Sequence, residues 1–168
     1  MSRGFVKEED QEEAPFIPPR AVLPEGVTNY VTPAGLRELE SEREGLEEEL
    51  SNLNIEDEKE LRHSRTLITG KLDLLNERIG SARVLNPEDQ PKDEVRFGAK
   101  VKLLELSNKT PLEFQIVGVD QADVKKQKIA FTAPIARAVN GKKKNDTAEL
   151  QLGNQLRLFE IVEISYPR

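Results

Sequence analysis

Four carboxylates fall within five positions of this chain: Glu56, Asp57, Glu58 and Glu60. Hard carboxylate oxygens suit Mg²⁺, which commonly takes one or two such ligands and keeps its waters. A divalent ion so placed can activate water for phosphodiester hydrolysis. The same residues have a plainer reading. Acids in the first turn of a helix complement its dipole, and Asn54 with Asp57 resembles a capping box. Close by, Arg62, Arg65 and Lys71 could form a basic stripe that meets RNA phosphates, or a solvated face. His63 stands alone among charged neighbours and is read as surface. One histidine and no cysteine exclude histidine relays, thiolate nucleophiles, thiolate zinc sites and disulfides.

The acids must be carried on something, and the flanking pattern says what. Thr32-Pro33 reads as an N-cap followed by proline at the first helical position. Leu36, Leu39, Arg43, Leu46, Leu50 and Leu53 then recur at spacings of 3, 4, 3, 4, 3. A second series, Leu61, Arg65, Ile68, Leu72, Leu75, Ile79 and Ala82, recurs at 4, 3, 4, 3, 4, 3. Each is a coiled-coil seam interrupted by one arginine, which can snorkel and fix register. Residues 51–58 offer a short reversal with a new N-cap at Asn54. Two amphipathic helices joined so briefly fold back on each other as an antiparallel coiled-coil hairpin. Each arm of roughly 20 residues projects about 30 Å and carries the acids at its tip, residues 54–60.

Charge divides the chain unevenly: −3 over residues 1–29, −5 over 30–84 and +2 over 85–168, within a net −6. The first 29 residues hold Pro15, Pro18, Pro19 and Pro24 among acidic runs, which predicts a flexible arm whose Phe16 and Ile17 form a bulky apolar pair that could dock on a partner. No stretch approaches twenty apolar residues, and the acidic start lacks the apolar core of a secretory signal, so a cytoplasmic protein without a membrane partner is expected. Hydrophobic residues make up 36% and charged residues 33%, polar for a compact globule. Binding rather than catalysis is the first expectation.

Residues 85–94 read as a linker, opened by Asn86-Pro87 and closed after Pro91. From residue 95 the period changes to two. Strands are predicted over 95–104 with a bend at Gly98, over 114–119, over 128–131, over 146–152 and over 156–166. Pro134 to Val139 suits a short helix closed by Asn140-Gly141. Lys142, Lys143 and Lys144 are read as a solvated turn. The fold class is therefore α+β in two modules, a helical hairpin followed by a small antiparallel sheet domain over 95–168.

Five segments in order resemble the bacterial GreA/GreB transcription elongation factors. They are Tyr30-Val31-Thr32-Pro33-Ala34-Gly35-Leu36, Val95-Arg96-Phe97-Gly98-Ala99, residues 116–123, residues 133–138 and residues 159–166. The resemblance covers 30–168 and leaves the arm outside it. It implies an FKBP-like fold for the sheet domain, which would dock on the rim of the RNA polymerase secondary channel through Asp120, Gln121, Asp123, Ala133, Pro134, Ile135 and Arg137. It also implies that the hairpin enters the channel and sets Glu56, Asp57 and Glu58 beside the polymerase's Mg²⁺ and the transcript RNA 3′ end, helping to cleave backtracked RNA. The chain would then be a cofactor of another enzyme's active site, with no stably bound metal of its own, and is expected to be monomeric.

The family's own tip run, of the Gly-Asp-Leu-(Ser/Lys)-Glu-Asn-Ala-Glu-Tyr type, is absent, and the hairpin is shorter by roughly 14 residues, or about 10 Å of reach. A regulator that occupies the channel without promoting cleavage, in competition with cleavage factors, is the alternative. A more remote one is an FKBP-like prolyl isomerase or chaperone, which would need an aromatic-lined pocket.

Overall fold

The computed structural model describes residues 13–167. Residues 1–12 of the expected arm lie outside them. A three-residue strand β1 (Asn29–Val31) leads into helix α1 (Pro33–Ser51). Thr32 caps α1 by accepting the Gly35 N–H at 2.9 Å, and Pro33 fills the first turn. Helix α2 (Glu58–Ser81) follows after six residues and ends in strand β2 (Ala82–Val84). Leu39 near the start of α1 shares a buried cluster with Leu75 near the end of α2, flanked by Leu36, Leu46 and Ile79. The two helices are therefore antiparallel, each burying one apolar stripe.

Two details differ from the sequence expectation. The cap of α2 is Asp57, which accepts the Lys59 N–H at 3.0 Å, while Asn54 sits exposed in the loop. The inward row of α2 passes through Ser64, which is half-buried, and Arg65 is exposed. Placing the short serine there leaves the arginine charge in water at no cost in packing.

The open end of the helix pair is closed by pairing that the sequence did not announce. β1 and β2 lie parallel, with Asn29 opposite Ala82, Tyr30 opposite Arg83 and Val31 opposite Val84. The Asn29 side-chain amide donates to the Arg78 carbonyl at 2.9 Å and to the Ser81 hydroxyl at 3.2 Å, so it satisfies the last turn of α2. The segment 85–94 holds one 3-10 turn, Pro87–Asp89.

The remaining residues form a five-stranded sheet in the order β5-β4-β3-β7-β6: β3 (Lys100–Glu105), β4 (Pro111–Val117), β5 (Lys128–Ala130), β6 (Thr147–Leu152) and β7 (Gln155–Ser165). Three pairings are antiparallel, and β4 with β5 is parallel, which corrects the all-antiparallel expectation. The chain reaches β5 through a 3-10 turn, Val124–Lys126, that returns it in the direction of β4. Residues 95–99 are not strand. Gly98 takes φ +90°, a region that favours glycine, and its N–H bonds the Ile116 carbonyl at 2.9 Å.

Helix α3 (Pro134–Val139) ends at Asn140-Gly141, as its sequence predicts. Its Ala136 and Val139 pack on the inner face of the sheet, among Val101, Leu103, Phe114, Ile116, Ala148, Leu150, Phe159 and Ile161. This is the larger of two cores; the helix pair holds the other. No helix among the described residues is long and apolar enough to cross a membrane.

Candidate functional site

The acids at the turn of the helix pair stand clear of the protein. Glu56, Asp57, Glu58 and Glu60 are all exposed, because a six-residue loop at the far end of two narrow helices has nothing to pack against. Asp57 spends one oxygen on the helix cap. Ile55, Asp57, Lys59, Glu60, His63 and Ser64 outline a shallow depression beside the turn. Among the described residues no three His, Cys, Asp or Glu side chains converge to hold a metal.

The proposed basic stripe is not one surface. Arg62 and Lys71 are nine residues apart, about 180° around the helix and about 14 Å along it. Arg62 and Arg65 are exposed together, whereas Lys71 is half-buried beside Pro18, Pro19 and Glu42. Three cations spaced 3 and 6 apart cannot share a helical face.

The seven residues expected to dock divide into two groups. Asp120 and Gln121 face inward. The side chain of Asp120 is 7% exposed and accepts from Arg20 at 3.1 Å and from Arg78 at 3.0 Å. Gln121 is buried and accepts the Thr32 hydroxyl at 2.6 Å. These two side chains fasten the sheet to the helix pair. Asp123 caps the turn before β5 by accepting the Lys125 N–H at 3.0 Å.

The second group surrounds α3. Ala133 is its N-cap residue, Pro134 and Arg137 are exposed, and Ile135 leans on the core. Arg137 stands at a cavity of about 390 Å³ lined also by Tyr30, Phe97, Ile116, Phe131, Ala136 and Asn140. Three rings meet there, with centroids 5.9 Å apart for Tyr30 and Phe97, 5.7 Å for Tyr30 and Phe131, and 5.6 Å for Phe97 and Phe131. Tyr30 comes from β1, before α1, so one wall of the pocket is supplied from outside the sheet domain.

Sequence reasoning missed Arg20, Arg78 and Glu42. The Glu42 hydrogen bond, aided by the charge of Asp120 and opposed by burial, raises the pKa of the Arg20 guanidinium above its ordinary value. Arg20 and Asp120 are 100 positions apart, and no local pattern signals such a pair.

The fold is an acid-tipped antiparallel helix pair seated on a mixed sheet. A family profile described as "Transcription elongation factor, GreA/GreB, C-term" matches residues 90–166. Over 99 residues the chain is 35% identical to the transcription elongation factor GreA of Syntrophotalea carbinolica, covering 59% of this chain and 63% of that one. It is 33% identical over 105 residues to GreA of Hyphomonas neptunium, covering 62% of this chain and 67% of the relative. The crystal structure of GreA factor homolog 1 of Thermus thermophilus aligns over 83% of this chain and 99% of that one, at 22% identity and a TM-score of 0.39. The chain belongs to the GreA/GreB family of transcription elongation factors. It spans 63% of the length of the Syntrophotalea relative.

Proposed function

We propose that this chain regulates transcript elongation by binding bacterial RNA polymerase and passing its helix pair, an antiparallel coiled coil, into the secondary channel. Family membership supports the polymerase as partner. The observation that carries the reading is the placement of Glu56, Asp57 and Glu58, exposed at the end of a 19-residue and a 24-residue helix and without an ion pair among the described residues. Exposed carboxylates fit the one or two protein ligands that Mg²⁺ takes. Glu56, Asp57 and Glu58 would share that ion with the polymerase, and the ion would supply activation of water for cleavage of backtracked RNA. The chain's own part is to deliver the carboxylates and hold them in register, as a cofactor without turnover alone, in the cytoplasm.

Residues 95–168 serve as the docking domain, FKBP-like in the family's manner. Of the residues assigned to docking by resemblance, Pro134 and Arg137 are exposed, Arg137 at the aromatic pocket, and these would meet the partner together with Asp123, Ala133 and Ile135. Asp120 and Gln121 act instead by orienting the helix pair. Any contact with transcript phosphates would fall to the exposed face of α2 that carries Arg62 and Arg65, and Lys71 lies off that face.

The test is transcript cleavage in stalled, backtracked elongation complexes, with and without the protein. Shortened RNA that disappears on replacing Glu56, Asp57 and Glu58 by Ala supports the tip's role. Absence of cleavage together with competition against a cleavage factor makes the chain a channel-occupying regulator. Proline isomerisation of a model peptide at a rate well above background contradicts both.

A further inference from the structure

Residues 17–23 have no helix or strand, yet they are bound to three separate elements. Arg20 donates from both terminal nitrogens to Glu42 of α1, at 2.9 and 3.0 Å. Its Nε donates to Oδ1 of Asp120, in the turn after β4, at 3.1 Å. The other oxygen of Asp120 accepts from Arg78 of α2 at 3.0 Å, and Arg78 also donates to the Ala21 carbonyl at 2.8 Å. One carboxylate is thus shared by two guanidiniums, one from the segment and one from α2.

These are not loose surface pairs. The side chains of Arg20, Arg78 and Asp120 are 17%, 14% and 7% exposed. The bidentate pair to Glu42, whose side chain is 45% exposed, is the outer member of this network, and charge-assisted bonds that share partners hold geometry better than isolated exposed pairs. A second anchor lies three residues upstream. Ile17 rests on Gly70 of α2, so closely that a Cβ on Gly70 would collide with the Ile17 side chain. Ile17 and Leu23 are half-buried, whereas Phe16 and Val22 point outward, 80% exposed.

The flexible-tail expectation therefore does not describe this stretch, because its acidic and proline-rich composition hides one arginine and one isoleucine with built seats. We infer that residues 17–23 are a strap that fixes the direction of the helix pair relative to the sheet, with Arg20 as its positioning residue. The lever is long. A 19-residue helix extends about 28 Å, so a rotation of roughly 10° at its base moves the tip by about 5 Å. The remaining attachments, Arg78 to Asp120, Thr32 to Gln121 and the Tyr30 rings, sit at the base and resist such rocking less well than a strap that also reaches Glu42, about two turns up α1. The strap belongs to the chain's own geometry, whether or not the tip works in a polymerase.

The chain contains no cysteine, so Ser51→Cys near the tip and Thr147→Cys on β6, both exposed, place two spin labels uniquely. Their distance distribution, read by double electron–electron resonance, reports the direction of the helix pair. In this background Arg20→Ala removes the ionic anchor. Gly70→Leu expels Ile17 while favouring the helix. The strap predicts a distribution about two-fold broader for Arg20→Ala, with far-UV circular dichroism unchanged. A folded Arg20→Ala protein whose distribution is as narrow as the parent's overturns the inference. Should Arg20→Ala fail to fold, Gly70→Leu decides by the same criterion.

Discussion

The hydroxyl of Thr32 donates to Oε1 of Gln121 at 2.6 Å while accepting the Gly35 N–H at 2.9 Å. One oxygen therefore caps α1 and ties that cap to the turn that follows β4. Thr32 is 4% and Gln121 8% exposed, so neither bond is replaced by water when its partner is lost. Thr32→Ala removes the cap and strands the Gln121 amide, and should cost about 2 kcal/mol. Thr32→Ser keeps both bonds and should cost less than half as much. Urea unfolding of the three proteins measures the difference.

The glycines separate close approach from mere helix weakness. An added Cβ at Gly118 would press against the backbone carbonyl of Tyr30, which cannot swing aside. Gly45 lies in α1 with nothing within 4 Å of an added Cβ. Gly118→Ala should therefore destabilise by more than about 2 kcal/mol, through strain between β1 and the sheet. Gly45→Ala should stabilise by about 0.5–1 kcal/mol from helix propensity alone. Thermal unfolding of both variants gives opposite signs if the packing is as described.

Acid should weaken the link between β3 and β7. Glu105 on β3 accepts two bonds from Arg157 on β7, each 2.8 Å. That pairing, against the opposing effect of desolvation, holds the Glu105 carboxyl below its ordinary value of 4.5. Because the folded value is lowered, the pair stabilises the fold above the ordinary value and is lost as pH falls through the folded one. The melting temperature should drop as pH is taken below about 4.5, and Glu105→Gln should be less stable at neutral pH with a flatter acid limb. Melting curves at a series of pH values check this.

Elements that follow local rules were legible in the sequence. The leucines at 36, 39 and 46 and the apolar run Ile68, Leu72, Leu75 and Ile79 announce two helices that share a stripe. Thr32-Pro33 and Asn140-Gly141 announce where helices begin and end. The pairing of β1 with β2 was hidden, because three-residue strands such as Asn29–Val31 carry no period. The parallel turn of β5 was hidden too, since Lys128–Ala130 reads alike in either direction. At the candidate site, the exposed acids followed from their place in the loop between the helices and in the first turn of α2. The inward use of Asp120 and Gln121 did not, because their partners Arg20, Arg78 and Thr32 meet them only in the folded chain. Arg65 was misplaced by a strict heptad count, which the serine at 64 relaxes.

The central claim is that the tip of the helix pair works inside the polymerase. The most direct measurement replaces exposed Asn54 with a photo-crosslinking amino acid and irradiates the protein with backtracked elongation complexes. The account predicts adducts to the polymerase's catalytic subunits at residues lining the secondary channel, lost when Pro134 and Arg137 are replaced by Ala. Adducts confined to the outer surface of the polymerase, or no adduct at all from a protein that binds it, would contradict the account.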